Sequence, residues 1–411
     1  MLMVYGGYID FCYGGTKCTQ LFIGLKVDRI NMSLGDLLPL QFYEIAFLCT
    51  LLFVPVVSFR GDLENYFFGV LVIYMLLRVI RNRKKSKLPA DGKAVFISGC
   101  DSGFGHMVAE KMDKEGYVVF AGCLNESGDG ANNLKKKCSD KLHIIALDVT
   151  DEKSVSSAGN YVREHLENLE LWALFNNAGV YGHGDVEMCP VETFKFLADV
   201  NLFGMVRLTQ EFLPLIRKSQ GRVVNMSSIN GRFTWPCAAA YNASKYGIEC
   251  VSDSLRMEMR KFGVKVAIIE PAMFGGNTDI HSEQNIARHY KQINEVWASK
   301  TEEVKSVYSK KYLKHQIDTI AQLRQKLAAK SPDGVIDAVV DAITSSAPEC
   351  RYAVHGGPFP VDLIVVLATV YPYLPETLTD WFLCRVTGHL NKDILQDSSP
   401  EPAAQNGIKS E

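Results

Sequence analysis

From Lys93 to Pro271 the chain repeats one alternation, a short run of consecutive apolar residues followed by a longer amphipathic stretch. The apolar runs are KAVFISG, YVVFAGC, LHIIALDV, LWALFNNAG, GRVVNMSS and VKVAIIEP. Runs of this length that are apolar on both faces suit strands covered on both sides. Between them, HMVAEKMDKEG, closed by Gly116, and the stretch around Val155 to Leu166 carry helical spacing. A helix over DGVIDAVVDAITS and a short strand around Tyr352 to Val354 continue the series. Strands alternating with helices form right-handed βαβ units, so the expected fold class is α/β, a Rossmann-type doubly wound parallel sheet with helices on both faces. In such sheets ligands bind beyond the carboxyl ends of the strands.

Upstream, residues 1–88 read differently. Two apolar stretches, 45–59 (IAFLCTLLFVPVVSF) and 66–80 (YFFGVLVIYMLLRVI), are separated only by the polar turn 60–65. Each is shorter than the roughly 20 residues of a perpendicular spanning helix. A membrane hairpin and one spanning helix with one interfacial segment both fit, and a pair of buried helices is the non-membrane alternative. Arg81, Arg83, Lys84, Lys85 and Lys87 follow directly. Basic flanks stay on the cytoplasmic or matrix side, so membrane lipid is an expected partner. The expected location is the endoplasmic reticulum or inner mitochondrial membrane, with the downstream domain facing cytosol or matrix.

The downstream domain spans 93–390 and contains a charged helical insertion, 279–330, read as one or two helices over the site. FPVDLIVVLATVYPYL, broken by prolines, reads as a membrane-apposed or pocket element, and 396–411 reads as a disordered tail. Eleven scattered cysteines without a CxxC pair argue against a disulfide framework and a zinc site. Formal net charge is −2 and no basic stripe carries interleaved aromatics, which argues against nucleic acid. A homo-oligomer is compatible with the sequence. The sequons at Asn31, Asn125, Asn225 and Asn242 read as chance matches, since two fall within the catalytic core.

Two short motifs carry chemistry. Gly99, Gly103 and Gly105 lie in a turn that follows a strand and opens a helix, where glycine lets the backbone approach a pyrophosphate. Tyr241 and Lys245 stand four apart on a helix, so phenol and ammonium share a face. A nearby cation favours phenolate, which makes the pair a proton-transfer device. Ser228, at a strand end, is placed to bond the same substrate oxygen.

Gly99-x-x-x-Gly103-x-Gly105, Asn176-Asn177-Ala178-Gly179, Asn201, Ser228 and Tyr241-x-x-x-Lys245 occur in the order and spacing of the short-chain dehydrogenase/reductase family. The chain resembles that family over roughly residues 93 to 280. Within it, the chain resembles a subgroup holding D-3-hydroxybutyrate dehydrogenase, membrane-bound retinol dehydrogenases and 17β-hydroxysteroid dehydrogenase type 2. The resemblance implies hydride transfer between an alcohol or carbonyl substrate and a nicotinamide. It makes Tyr241 the general acid/base, with Ser228 orienting the substrate oxygen, Lys245 lowering the tyrosine pKa and binding ribose, and Asn201 supporting a proton relay. It places Gly99, Ser102, Gly103, Phe104, Gly105, Asp148, Val149, Asn176 and Thr278, with Tyr241 and Lys245, around the cofactor. Ala272 departs from the pattern, standing where the family has glycine after the proline. FAGCLNE has no acid directly at the strand end, and no Arg or Lys sits there or in the glycine loop. The expected cofactor is therefore NAD, with NADP left open. The substrate is expected to be a lipophilic steroid- or retinoid-like alcohol or a short 3-hydroxy acid. The rival reading is a catalytically silent membrane scaffold on a nucleotide-binding fold.

Overall fold

The structure, a computed structural model, describes residues 2–5, 8–11, 86–274, 283–327, 329–356 and 362–387. The apolar stretches 45–59 and 66–80, the tail 396–411 and Thr278 lie outside the described residues. Among the described residues no helix is long and apolar enough to cross a membrane. The chain divides into two units, Met1–Tyr74 and Met75–Glu411. The first contains an antiparallel ribbon of β1 (Leu2–Tyr5) and β2 (Tyr8–Phe11), with Leu2 opposite Phe11.

In the second unit every apolar run expected as a strand is one. They are β3 (Lys93–Ser98), β4 (Val118–Cys123), β5 (Leu142–Ala146), β6 (Glu170–Asn176), β7 (Arg222–Met226), β8 (Lys265–Pro271) and β9 (Arg351–Val354). All pair in parallel, in the order β5-β4-β3-β6-β7-β8-β9. The period-two geometry of a strand divides the side chains between two cores. Val95 and Ile97 of β3 face one core, packed with Val108 and Met112 of α1 (Gly103–Lys114) and with Val335 and Val339 of α10 (Asp333–Thr344). Ala94 and Phe96 face the other. There Val155, Ala158 and Val162 of α3 (Glu152–His165) meet Phe212 and Ile216 of α5 (Gly204–Ser219) and Leu255 of α6 (Ala239–Met259). The Phe96 and Phe212 ring centroids are 4.3 Å apart. Strands buried on both faces explain why their sequences are continuous apolar runs.

The remaining helices of the first half are α2 (Asp129–Lys137), between β4 and β5, and α4 (Val191–Ala198). The insertion is three helices, one more than the sequence suggested: α7 (Glu283–Ser299), α8 (Glu302–Val307) and α9 (Lys310–Leu327). Two more follow β9, α11 (Leu363–Val370) and α12 (Glu376–Val386). Strand order reverses between β3 and β6, so their carboxyl ends diverge into a crevice of the kind that accepts ligands.

Candidate active site

The crevice opens as a cavity of about 480 Å³, in the range of small-molecule sites. At one end lies the turn between β3 and α1. Gly99 has φ +71°, and a Cβ there would stand 2.8 Å from the Ala178 Cα. A Cβ on Gly105 would stand 2.3 Å from the Gly99 carbonyl oxygen. Glycine at both positions lets strand, helix and the turn after β6 close on one another. Ser102 N-caps α1 without a side-chain cap bond, and the first turn carries no acid. Its amide N–H groups are thus left for an anion.

Gly99, Ser102, Gly103 and Phe104 line the cavity, whereas Gly105 is absent from the wall and acts through packing. Asp148 and Val149 also line it. Asp148 is fixed by the Thr150 amide (2.9 Å) and hydroxyl (2.7 Å), which donate to one carboxylate oxygen.

The two asparagines at the end of β6 divide their work differently from expectation. Asn176 is buried, donates to Asn225 (2.8 Å) and Thr209 (3.1 Å), and does not line the cavity. Side chains alternate along a strand, so the next residue takes the cavity side. Asn177 lines it and donates to the carbonyls of Ser98 (3.0 Å) and Gly99 (3.1 Å), tying β6 to the glycine turn.

At the opposite end stand Ser228, Tyr241 and Lys245, all on the cavity wall. Lys245 Nζ donates to the Met226 carbonyl at 3.0 Å and lies 5.6 Å from the centre of the Tyr241 ring. Tyr181 meets that ring edge-on at 4.9 Å between centroids. Burial pushes the Tyr241 phenol up to about 12, and the Ser228 hydroxyl draws it back in part. Burial brings Lys245 down to about 8, opposed by the Glu249 carboxylate.

Asn201 lies behind these residues in a short π-helix, Asp199–Phe203, and is buried off the cavity wall. Its amide accepts from the Val180 amide (2.8 Å) and donates to the Val180 carbonyl (3.0 Å) and the Ser244 hydroxyl (2.9 Å). It pins the loop after β6 to α6 one residue before Lys245. Such π-turns are rare and frequently sit at functional sites.

The insertion covers the cavity. Gln316 and Thr319 of α9 reach its wall. Asp185 accepts from Tyr312 (2.8 Å) and Gln316 (2.7 Å), so α9 is latched to the loop after β6. Thr387, just past α12, also reaches the wall, whereas no described residue of FPVDLIVVLATVYPYL lines it.

The comparisons with known proteins agree with this geometry. The short chain dehydrogenase family model matches residues 93–289. Retinol dehydrogenase 16 of Rattus norvegicus is 40% identical over 289 residues, 70% of this chain and 88% of that protein. The mitochondrial D-beta-hydroxybutyrate dehydrogenase of Bos taurus is 40% identical over 301 residues, 71% of this chain and 86% of that protein. The 17-beta-hydroxysteroid dehydrogenase type 6 of Bos taurus is 39% identical over 323 residues, 78% and 96% respectively. The chain belongs to the short-chain dehydrogenase family. A short-chain dehydrogenase from Streptomyces avermitilis superimposes with TM-score 0.53 at 25% identity, covering 73% of this chain and 98% of its own. As a short-chain dehydrogenase the protein is an enzyme, an alcohol/carbonyl oxidoreductase of a family that uses NAD(H) or NADP(H).

One residue of this dehydrogenase's wall was not singled out from sequence. Asp101 lines the cavity, and its two carboxylate oxygens accept from the amides of Leu124 (2.9 Å) and Asn125 (3.0 Å) just past β4. The available signal was an acid inside the glycine turn opposite a strand end that lacks one. Other residues settle into structural roles. His106 is braced against the Cys100 carbonyl (3.1 Å) and Glu110 (3.2 Å), off the cavity wall. Arg232 pairs with Glu270 at 3.2 Å. Trp172 is core, donating 2.8 Å to the Ile343 carbonyl, and Phe233 is fully buried, while Trp235 lines the cavity.

Proposed function

We propose that this enzyme interconverts a neutral, lipophilic alcohol and its carbonyl with NAD, Tyr241 exchanging the proton at the substrate oxygen. The observation that carries the reading is the make-up of the wall. Among the described residues that line it, Lys245 is the only lysine or arginine. A short hydroxy acid and the 2′-phosphate of NADP each call for a dedicated cation. Lys245 is already engaged with Tyr241 and the Met226 carbonyl. The ribose end instead presents Asp101, and an acid there accepts from a 2′-hydroxyl and repels a 2′-phosphate.

The residues fit a dinucleotide. The uncapped first turn of α1, with Gly99, Ser102, Gly103 and Phe104, would receive the pyrophosphate, and Asp148 and Val149 the adenine. When bound, the nicotinamide supplies the two-electron acceptor or donor. The chain's own residues do the rest. Ser228 and Tyr241 converge on one substrate oxygen, so Ser228 orients it and Tyr241 takes or gives its proton. Lys245 favours the phenolate and would meet the nicotinamide ribose. Asn201 holds the wall in register, and its place beside Ser244 supports the relay role. Trp235, Phe196 and Val180 give the substrate end an apolar surface. Relatives named for retinol and for a 17-beta-hydroxysteroid are compatible with this class, and one named for hydroxybutyrate is equally similar, so the make-up of the wall carries the choice.

The stretches 45–59 and 66–80 with the basic run after them support attachment to an endoplasmic reticulum or inner mitochondrial membrane, the catalytic unit facing cytosol or matrix. The test is oxidation of retinol, estradiol and 3-hydroxybutyrate by the full chain in detergent, with NAD and with NADP. Turnover of a lipophilic alcohol with NAD is expected. Turnover of 3-hydroxybutyrate alone, or a preference for NADP, overturns the reading.

A further inference from the structure

Directly behind Lys245, away from the cavity, lies a buried cluster of charge that proton transfer at Tyr241 does not itself require. Glu249 stands one helical turn beyond Lys245 on α6, so Tyr241, Lys245 and Glu249 form a ladder at four-residue spacing. Arg351 of β9 bridges Glu249, Asp253 and Glu270, its contact to Glu270 being 2.7 Å. Arg232 reaches the same Glu270 oxygen at 3.2 Å. Glu249 is buried and Glu270 is 1% exposed. Ser227 approaches Glu249 from the cavity side, since both crowd the same space beside Gly231. Tyr246 also feels the Glu249 charge. Arg256 pairs with Asp253 at 3.0 Å, so three carboxylates face three guanidiniums, with the ammonium of Lys245 one helical turn from Glu249. Buried ion clusters are poor stabilisers compared with apolar packing, so this arrangement calls for another reason to exist.

We propose that Glu249, clamped by Arg351, is a positioning residue that keeps the proton on Lys245 and so leaves Tyr241 as the group of the pair that gives one up. The proposal rests on Tyr241 being the acid/base. Tyr241 and Lys245 compete to lose a single proton, and only the phenolate–ammonium arrangement is productive. Two states with the same number of protons interconvert without regard to pH, so their ratio is set by the surroundings. An anion beside Lys245 favours the ammonium and hence the productive state. Burial and the neighbouring Glu270 hold the Glu249 carboxyl well above the usual carboxylate range, with Arg351 opposing. The influence of Glu249 therefore fades as pH falls and Glu249 takes up a proton.

Removing that anion has a signature that loosened packing lacks. The productive fraction drops, and the Tyr241–Lys245 pair as a whole loses its first proton at lower pH. The experiment is the pH profile of kcat for alcohol oxidation by the full chain, wild type against Glu249→Gln, Glu249→Asp and Arg351→Lys, with NADH affinity from fluorescence titration. Glu249→Gln is expected to lower the plateau kcat about tenfold, the equivalent of one pKa unit, and to move the rising limb to lower pH. NADH affinity should change less than about twofold, well under that one-unit effect. Glu249→Asp should restore the limb. If Glu249→Gln does not fold, Arg351→Lys, which keeps the charge but loosens the clamp, should move plateau and limb the same way. A limb that stays in place in the variants that fold overturns the proposal, whether or not the plateau drops. If Tyr241→Phe keeps wild-type activity, the acid/base reading itself has failed. If it is inactive and the limb stays in place, only the role of Glu249 has.

Discussion

The Lys245 ammonium lies 5.6 Å from the centre of the Tyr241 ring and is held from a second direction by the Met226 carbonyl at 3.0 Å. Its position therefore depends on β7 as well as on its own helix.

Tyr241→Phe keeps the ring and its edge-on contact with Tyr181 but deletes the proton carrier. General acid–base groups contribute about 10²- to 10⁴-fold, and kcat is expected to fall by that amount. NADH affinity, read by fluorescence, should be nearly unchanged.

Ser228→Ala removes the hydroxyl that draws the phenol down from its burial-raised position. The phenolate–ammonium state then becomes rarer at every pH, so the plateau of kcat for alcohol oxidation should fall about tenfold or more while NADH affinity is nearly unchanged. A plateau within about twofold of wild type would mean that Ser228 neither orients the substrate nor influences the phenol.

Asp101→Ser takes the charge from the ribose end and one anchor from the amides of Leu124 and Asn125. KM for NAD should rise about tenfold, corresponding to one charge-assisted hydrogen bond. KM for NADP should rise less or fall, so the ratio of the two is the decisive measurement.

The sheet was legible because its strands are buried on both faces and so appear as uninterrupted apolar runs bounded by glycine or polar residues. Tyr241 and Lys245 were legible because four-residue spacing on a helix brings side chains together whatever lies around them. Asp101 was not, since its importance depends on β4 lying beside β3, a pairing its neighbours in sequence do not encode. Asn176 and Asn177 show the same gap at finer grain. Which of two adjacent residues faces the cavity depends on where the pleat of β6 ends, and composition is silent on that. The π-turn at Asn201 reads as ordinary helix, because one extra residue in a turn leaves no mark on hydrophobic spacing. Glu249, Glu270 and Arg351 come from three elements and converge only in the folded chain.

Gly105→Ala places a methyl against the Gly99 carbonyl, a backbone atom that cannot rotate away. Overpacking of this kind costs about 1–3 kcal/mol, and a lowered Tm with weakened NADH binding is expected together. An unchanged Tm would show that α1 can shift away from β3.

His143 lies in a stack with Phe120 (5.1 Å between centroids) and beside Tyr161 and His165. Burial and His165 hold its pKa below the ordinary 6.5. Below that value the unfolded chain takes up a proton that the folded chain resists. The contribution is therefore fully present above about 6.5 and is lost as pH falls toward the folded pKa. His143→Phe should flatten the decline of Tm between roughly pH 7 and pH 5. An identical decline in the variant would assign the acid sensitivity elsewhere.

The two ends of the cavity are drawn from different stretches of chain. The β3–α1 turn stands at one end and the ends of β6 and β7 with the start of α6, which carry Ser228, Tyr241 and Lys245, at the other, while α9 and Thr387 lend surface to the wall from later in the chain. Mutation can therefore reshape the wall through late segments that rest on the core by polar latches, such as Asp185 with Tyr312 and Gln316, and by small apolar clusters around Met188 and Phe233. A lineage built this way can diversify its metabolism by changing its cover while inheriting its chemistry intact.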